Sequence, residues 1–157
     1  MTVEDVTSLG VTGVETFPSA WWFEQMVADV RERPEFYRHL GVADFRLVVK
    51  ALDGGRARSF GLVLDGYDVL FAGELADIDG FGPDATVEGD VGIWRDMVGN
   101  IVRNGRADGT HTLNSLTIDE APLRVTAADP VGRDKFYRYA ETLQTLFDSL
   151  GSHAPAR

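Results

Sequence analysis

Apolar positions recur along this chain with two different periods, and each change of period marks a new element. Trp22, Phe23, Met26, Val27 and Val30 share one arc at about 100° per residue, which predicts a helix with Ser19 as its N-cap and Trp21 off the stripe. Pro34 interrupts it, and Glu35 to Leu40 reads as a further turn or two closed by Gly41. From Ala43 the period becomes two: Phe45, Leu47, Val49 and Ala51 point one way, Asp44, Arg46 and Lys50 the other. Asp53-Gly54-Gly55-Arg56 supplies a turn, Phe60, Leu62 and Leu64 resume the alternation, and Asp65-Gly66 leads into Tyr67 to Leu75, where Val69 and Phe71 continue it. Three consecutive antiparallel strands follow from this pattern.

Ile78 to Pro83 reads as a loop, and Asp84 to Glu88 as a short fourth strand with Ala85 and Val87 on one face. Asp90 caps a helix that runs to about Asn104 and stops at Gly105. Ala107 to Asp119 is ambiguous, with Leu113, Leu116 and Ile118 as the apolar residues of a short helix, and Leu123 and Val125 read as a last strand. Asp129-Pro130 opens a final helix ending at Gly151. Residues 1–17 are small and polar and are expected to be a flexible leader, residues 18–151 a single domain, and residues 152–157 a flexible tail.

Two of these helices carry the most information. After Asp90, the residues Val91, Ile93, Trp94, Met97, Val98, Ile101 and Val102 sweep about half the circumference, wider than the stripe of an ordinary surface helix. Such a helix is either wedged between a sheet and another helix or lines a cavity, where Trp94 and Met97 offer large, adaptable apolar surface. The final helix places Phe136, Tyr139, Ala140, Leu143, Leu146, Phe147 and Leu150 on one side. Tyr139 adds a polar group to that face and, if buried, needs a hydrogen-bond partner that a ligand headgroup could supply.

Charge narrows the partners. Fifteen Lys and Arg against 25 Asp and Glu leave a net charge of -10, so nucleic acid and anionic membrane are repelled on average. No window reaches the roughly 20 apolar residues of a membrane span, so stable membrane insertion is not expected. The N-terminus, with Glu4 and Asp5, lacks the basic start and apolar core of a signal peptide. The chain has no cysteine, which excludes disulfides and thiolate chemistry and suits a reducing compartment; the cytoplasm is the expected location.

No catalytic template fits. His39, His111 and His153 are far apart and none has the spacing that brings two imidazoles to one metal. The glycines of Gly80-Phe-Gly82 and Gly89-Asp-Val-Gly92 make turns and not a dinucleotide fingerprint, and neither a nucleophile elbow nor a P-loop is present. The acid pairs Glu88 with Asp90 and Asp119 with Glu120 read as solvated ends and caps. Neither catalysis nor a cofactor or metal is expected.

The stretch Asp84 to Val98, an alternating strand with an acidic cap and then an apolar helix, resembles the sterol carrier protein type 2 family. Leu123 to Asp129, followed by Phe136 to Phe147, is similar to that family's last strand and closing helix. The resemblance extends loosely over residues 20–150. It implies an α+β fold with a five-stranded, mostly antiparallel sheet, helices over one face, and an apolar cavity between them. It implies binding of a fatty acid, fatty acyl chain or sterol without transformation. By position it assigns Ile93, Trp94, Met97, Val98, Ile101, Leu113, Leu116, Phe136, Tyr139, Ala140, Leu143 and Phe147 to cavity-facing places.

Two other classes compete. A cone-shaped α+β isomerase or dehydratase would need an acid with apolar neighbours beside a donor, and Asp68 next to Tyr67 is the nearest pair. A protein-interaction module would use Trp21 and part of an apolar arc to hold a protein partner.

Overall fold

The computed structural model describes residues 13–153. Strands β1 (Ala43–Asp53), β2 (Arg56–Gly66) and β3 (Asp68–Leu75) form the antiparallel meander that the alternation predicts. Their turns depend on Gly54 and Gly66, whose φ values of 64° and 67° are open to glycine at little cost. The β2–β3 register shifts between Val63 and Leu64, leaving Leu70 as the extra residue of a bulge on the edge strand. β4 (Ala85–Asp90) then pairs parallel to β1, and β5 (Arg124–Thr126) antiparallel to β4. The five-stranded sheet runs β3-β2-β1-β4-β5, and the fold is α+β.

One face of this sheet carries Phe45, Leu47 and Val49 of β1, Phe60 and Leu62 of β2, Val87 of β4 and Val125 of β5, all buried. Helices α1 (Ala20–Glu32), α2 (Pro34–His39), α4 (Val91–Asn104), α5 (Leu113–Thr117), α6 (Pro130–Arg138), α7 (Ala140–Asp148) and α8 (Leu150–His153) accompany it. Their apolar residues join those of the sheet in one core. The α4 ends are as the sequence indicates: Asp90 accepts from Gly92 N, and Gly105 closes the helix with a φ of 85°.

The structure differs from the sequence reading in four places, one of them the end of the last helix, where α8 runs two residues past Gly151 into the expected tail. Ile78–Phe81, expected as loop, is a short helix, α3. Because β4 lies beside β1 while β3 is an edge, the connection must cross β2 and β1 on the sheet's other face. Gly61 makes room for it, since a Cβ there would meet the Phe81 ring at 2.8 Å. Helices therefore cover one face and a short crossover touches the other.

The final helix is not continuous but divides at Tyr139, whose φ of -101° and ψ of 18° separate α6 from α7. The apolar stripe runs straight through this break, so periodicity gives no sign of it. The expected flexible leader also reaches too far. Val14–Thr16 forms a 3-10 turn and Phe17 has no exposure. Trp22 Nε1 donates to Thr16 Oγ1, Arg95 Nε to the Phe17 carbonyl and Arg58 Nη1 to the Pro18 carbonyl, which ties this segment down from helix and sheet. The rest of the expected leader, residues 1–12, and residues 154–157 of the expected tail lie outside the described residues.

Candidate functional site

Trp94 and Phe147 form the centre of the candidate site. Their rings stack with centroids 6.0 Å apart and 21° between planes, which holds α4 against α7. Trp94 Nε1 donates to the Lys50 carbonyl at 3.2 Å, so its one polar atom is satisfied by β1. Phe147 also meets Phe17 and Phe23, each at 6.4 Å, and Phe23 stacks on Phe60 of the sheet at 4.9 Å. A layer of aromatic rings thus runs from α4 through α7 and α1 to β2.

Eight of the twelve cavity residues assigned by resemblance are buried: Trp94, Met97, Val98, Ile101, Leu113, Phe136, Leu143 and Phe147. Ile93, Leu116 and Tyr139 are half-buried against the same core, and Ala140 is half-buried at the start of α7. Tyr139 lies over Phe45 of the central strand β1, with centroids 5.8 Å apart. The fold brings these residues together as packed side chains. Periodicity missed Phe17, which sits in the expected leader, and did not connect the Phe23–Phe60 stack to the Trp94 helix, because side-chain partners across elements leave no periodic trace.

Of the recesses among the described residues, two are lined mainly by apolar side chains. An open one of about 640 Å³ sits on the crossover face, where Val63, Leu70, Phe71, Leu75 and Phe81 surround Arg46. Arg46 is already committed there, donating through Nε and Nη2 to the Phe81 carbonyl and stacking over the Phe81 ring. The other is a slit of about 10 Å³ at the end of the sheet, with Val30, Leu64 and Leu146 of the core at its base and Tyr67 and Thr142 on its rim.

Tyr67 and Asp68 are both exposed on the β2–β3 turn, so Asp68 lacks the apolar surroundings that an isomerase acid requires. Trp21 is half-buried with its ring edge-on to Trp22 at 5.1 Å. His39 ends α2 on the surface. His111 pairs through Nδ1 with Asp108 at 2.8 Å in the α4–α5 loop.

That loop is held by a network. Asp108 N donates to Asn100 Oδ1 and Asn100 Nδ2 returns a bond to Asp108 Oδ2, while Thr110 donates to Asp108 from backbone and hydroxyl. The His111 hydrogen bond and then those of Thr110 hold the Asp108 carboxyl well below the usual carboxylate range. A carboxylate depressed in the folded state stabilises it above the unfolded value, about 3.9, and loses that contribution as pH falls toward the folded value. Amide exchange in residues 106–112, corrected for intrinsic rate, is expected to be steady from neutral pH to about 4 and to accelerate below it. Asp108→Asn should remove this acid-dependent step, and an unchanged step would contradict the assignment.

No protein-family model matches the chain, and no curated protein matches it in sequence. Solved structures do match in shape. The crystal structure of sterol carrier protein 2 superposes with a TM-score of 0.61, covering 85% of this chain and 95% of that one at 13% identity. This chain has the sterol carrier protein 2 fold. The solution structure of a conserved hypothetical protein of Thermus thermophilus, suggested to be a sterol carrier protein, matches with a TM-score of 0.56 at 12% identity. That match covers 82% of this chain and 85% of the other. In this sterol-carrier fold no helix among the described residues is long and apolar enough to cross a membrane.

Proposed function

We propose that the interior of this sterol-carrier fold takes up an apolar lipid-like molecule, such as a fatty acid, a fatty acyl chain or a sterol, and leaves it chemically unchanged. The observation that carries this reading is the likeness over 85% of the chain to a protein named for carrying sterols. The proposed contacts are the inward residues of α4 and α7, above all Trp94, Met97, Val98, Leu143 and Phe147. In the structure these side chains pack against one another, so a ligand enters by displacing them. Met97 is suited to this, being unbranched and able to fill irregular space. Burial of the ligand's apolar surface supplies the driving force, at roughly 25 cal/mol per Å² removed from water. Lack of cysteine favours the cytoplasm as the place where the protein works.

Native mass spectrometry of the protein mixed with fatty acids, acyl-CoAs and sterols tests this directly. The expected result is a protein ion with one added ligand mass, accompanied by quenching of the buried Trp22 and Trp94 by a fluorescent fatty acid. Neither added mass nor quenching across the three classes would overturn the proposal.

A further inference from the structure

We propose that an unbranched alkyl chain reaches the core through the slit between α2 and the β2–β3 turn, where Arg38 stacked on Tyr67 acts as the latch. This rests on the lipid-binding reading and names the entrance and the shape of the ligand. At the slit the core comes to the surface: Val30, Leu64 and Leu146 belong to the core and also line the slit. The larger recess around Phe71 and Phe81 has no such continuity, because it lies on the opposite face of β2.

Each lip carries a glycine turn. One ends at Gly41, with a φ of 90°, and the other contains Gly66, with a φ of 67°. Gly66 pairs with Ala43 at the very end of the β1–β2 ladder, so moving the turn disturbs little of the sheet. α2 is fixed as far as Tyr37. Tyr37 OH donates to Asp29 Oδ2 at 2.6 Å, and Arg33, the residue before α2, pairs with the same carboxylate, which anchors the helix to α1 up to the residue before Arg38. Motion is thereby confined to the segment from Arg38 to Gly41 and to the facing turn. Between them the Arg38 guanidinium lies 4.8 Å from the centre of the Tyr67 ring. A cation over an exposed ring is a weak contact that thermal motion breaks readily.

The slit's shape selects the ligand. With about 10 Å³ of free space it is nearly closed, and a single methylene chain needs far less opening than a fused-ring sterol. Asp68 lines the slit and Arg38 lies over Tyr67 of its rim, so charges of both signs stand near the entrance and entry does not depend on the headgroup's charge. A fatty acid and the alcohol of equal length are expected to load at similar rates, and sterols much more slowly.

The chain contains no cysteine, so Thr142→Cys places a unique thiol on the slit. Stopped-flow uptake of cis-parinaric acid is then followed before and after attachment of a bulky maleimide, with Glu24→Cys on the outside of α1 as the labelled control. Labelling at position 142 is expected to slow uptake at least tenfold and labelling at position 24 to leave it unchanged. Tyr67→Ala, at an exposed side chain, should load and release the probe about fivefold faster with unchanged affinity, the rate expected from losing one cation–π contact. Equal uptake by labelled and unlabelled Thr142→Cys would overturn the entrance, and unchanged rates in Tyr67→Ala would overturn the latch. Absence of any uptake by the unmodified protein would instead remove the lipid-binding reading itself, and the entrance with it.

Discussion

Phe147→Ala is expected to destabilise the protein by about 3–5 kcal/mol, the range for a buried aromatic truncated in a core that cannot collapse around the gap. The reason is its position. Phe147 stacks on Trp94 and touches Phe17 and Phe23, so removing it takes one side from three rings contributed by α4, the residue after the 3-10 turn and α1. A domain of this size has a total stability of about 5–15 kcal/mol, so the loss is a large share of it. Urea unfolding followed by tryptophan fluorescence measures the change, and a loss below about 1 kcal/mol would contradict the packing described. The variant also links stability to function. If the interior accepts alkyl chains, saturating fatty acid should restore more stability to Phe147→Ala than to the parent protein, because the cavity left by the ring favours the bound state.

Gly132→Ala is expected to cost about 3 kcal/mol even though alanine is the better helix former by about 1 kcal/mol. Gly132 lies in the first turn of α6, and a Cβ added there would be 1.9 Å from the Asp84 carbonyl and 3.1 Å from the Ala127 side chain. The carbonyl is backbone and cannot rotate away. Asp84 is itself fixed to β1, its N–H donating to the Arg46 carbonyl and its carboxylate accepting from the Arg46 amide. Alanine would therefore push α6 off the start of β4. Thermal unfolding should fall by roughly 6–12 °C for a chain of this length, whereas an unchanged or raised midpoint would show that α6 does not approach the sheet so closely.

Gly132 illustrates what a single sequence conceals. A glycine near a helix start looks like a weak position, and the reason for it is a backbone from another element, which no local pattern encodes. The break at Tyr139 and the crossover helix α3 are of the same kind, because each is set by where the chain has to go next. Local signals did better. The meander was legible because alternation and glycine turns act within a few residues, and α4 because Asp90 and Gly105 cap it by their own chemistry. The apolar residues of the candidate site were legible as stripes on α4 and the last helix. Whether a stripe faces a ligand or other side chains was not, since both demand the same residue types. The packing of Trp94 on Phe147 and the slit beside Leu146 come only from the arrangement in space.

An alkyl chain lodged between α4, α7 and the sheet is detected by NMR on protein loaded with fully protonated palmitate and carrying selectively labelled methyl groups. Intermolecular NOEs are expected from the ligand methylenes to Met97, Val98 and Leu143. NOEs confined to Val63, Leu70 and Leu75 of the opposite recess, or none to any methyl group, would contradict it.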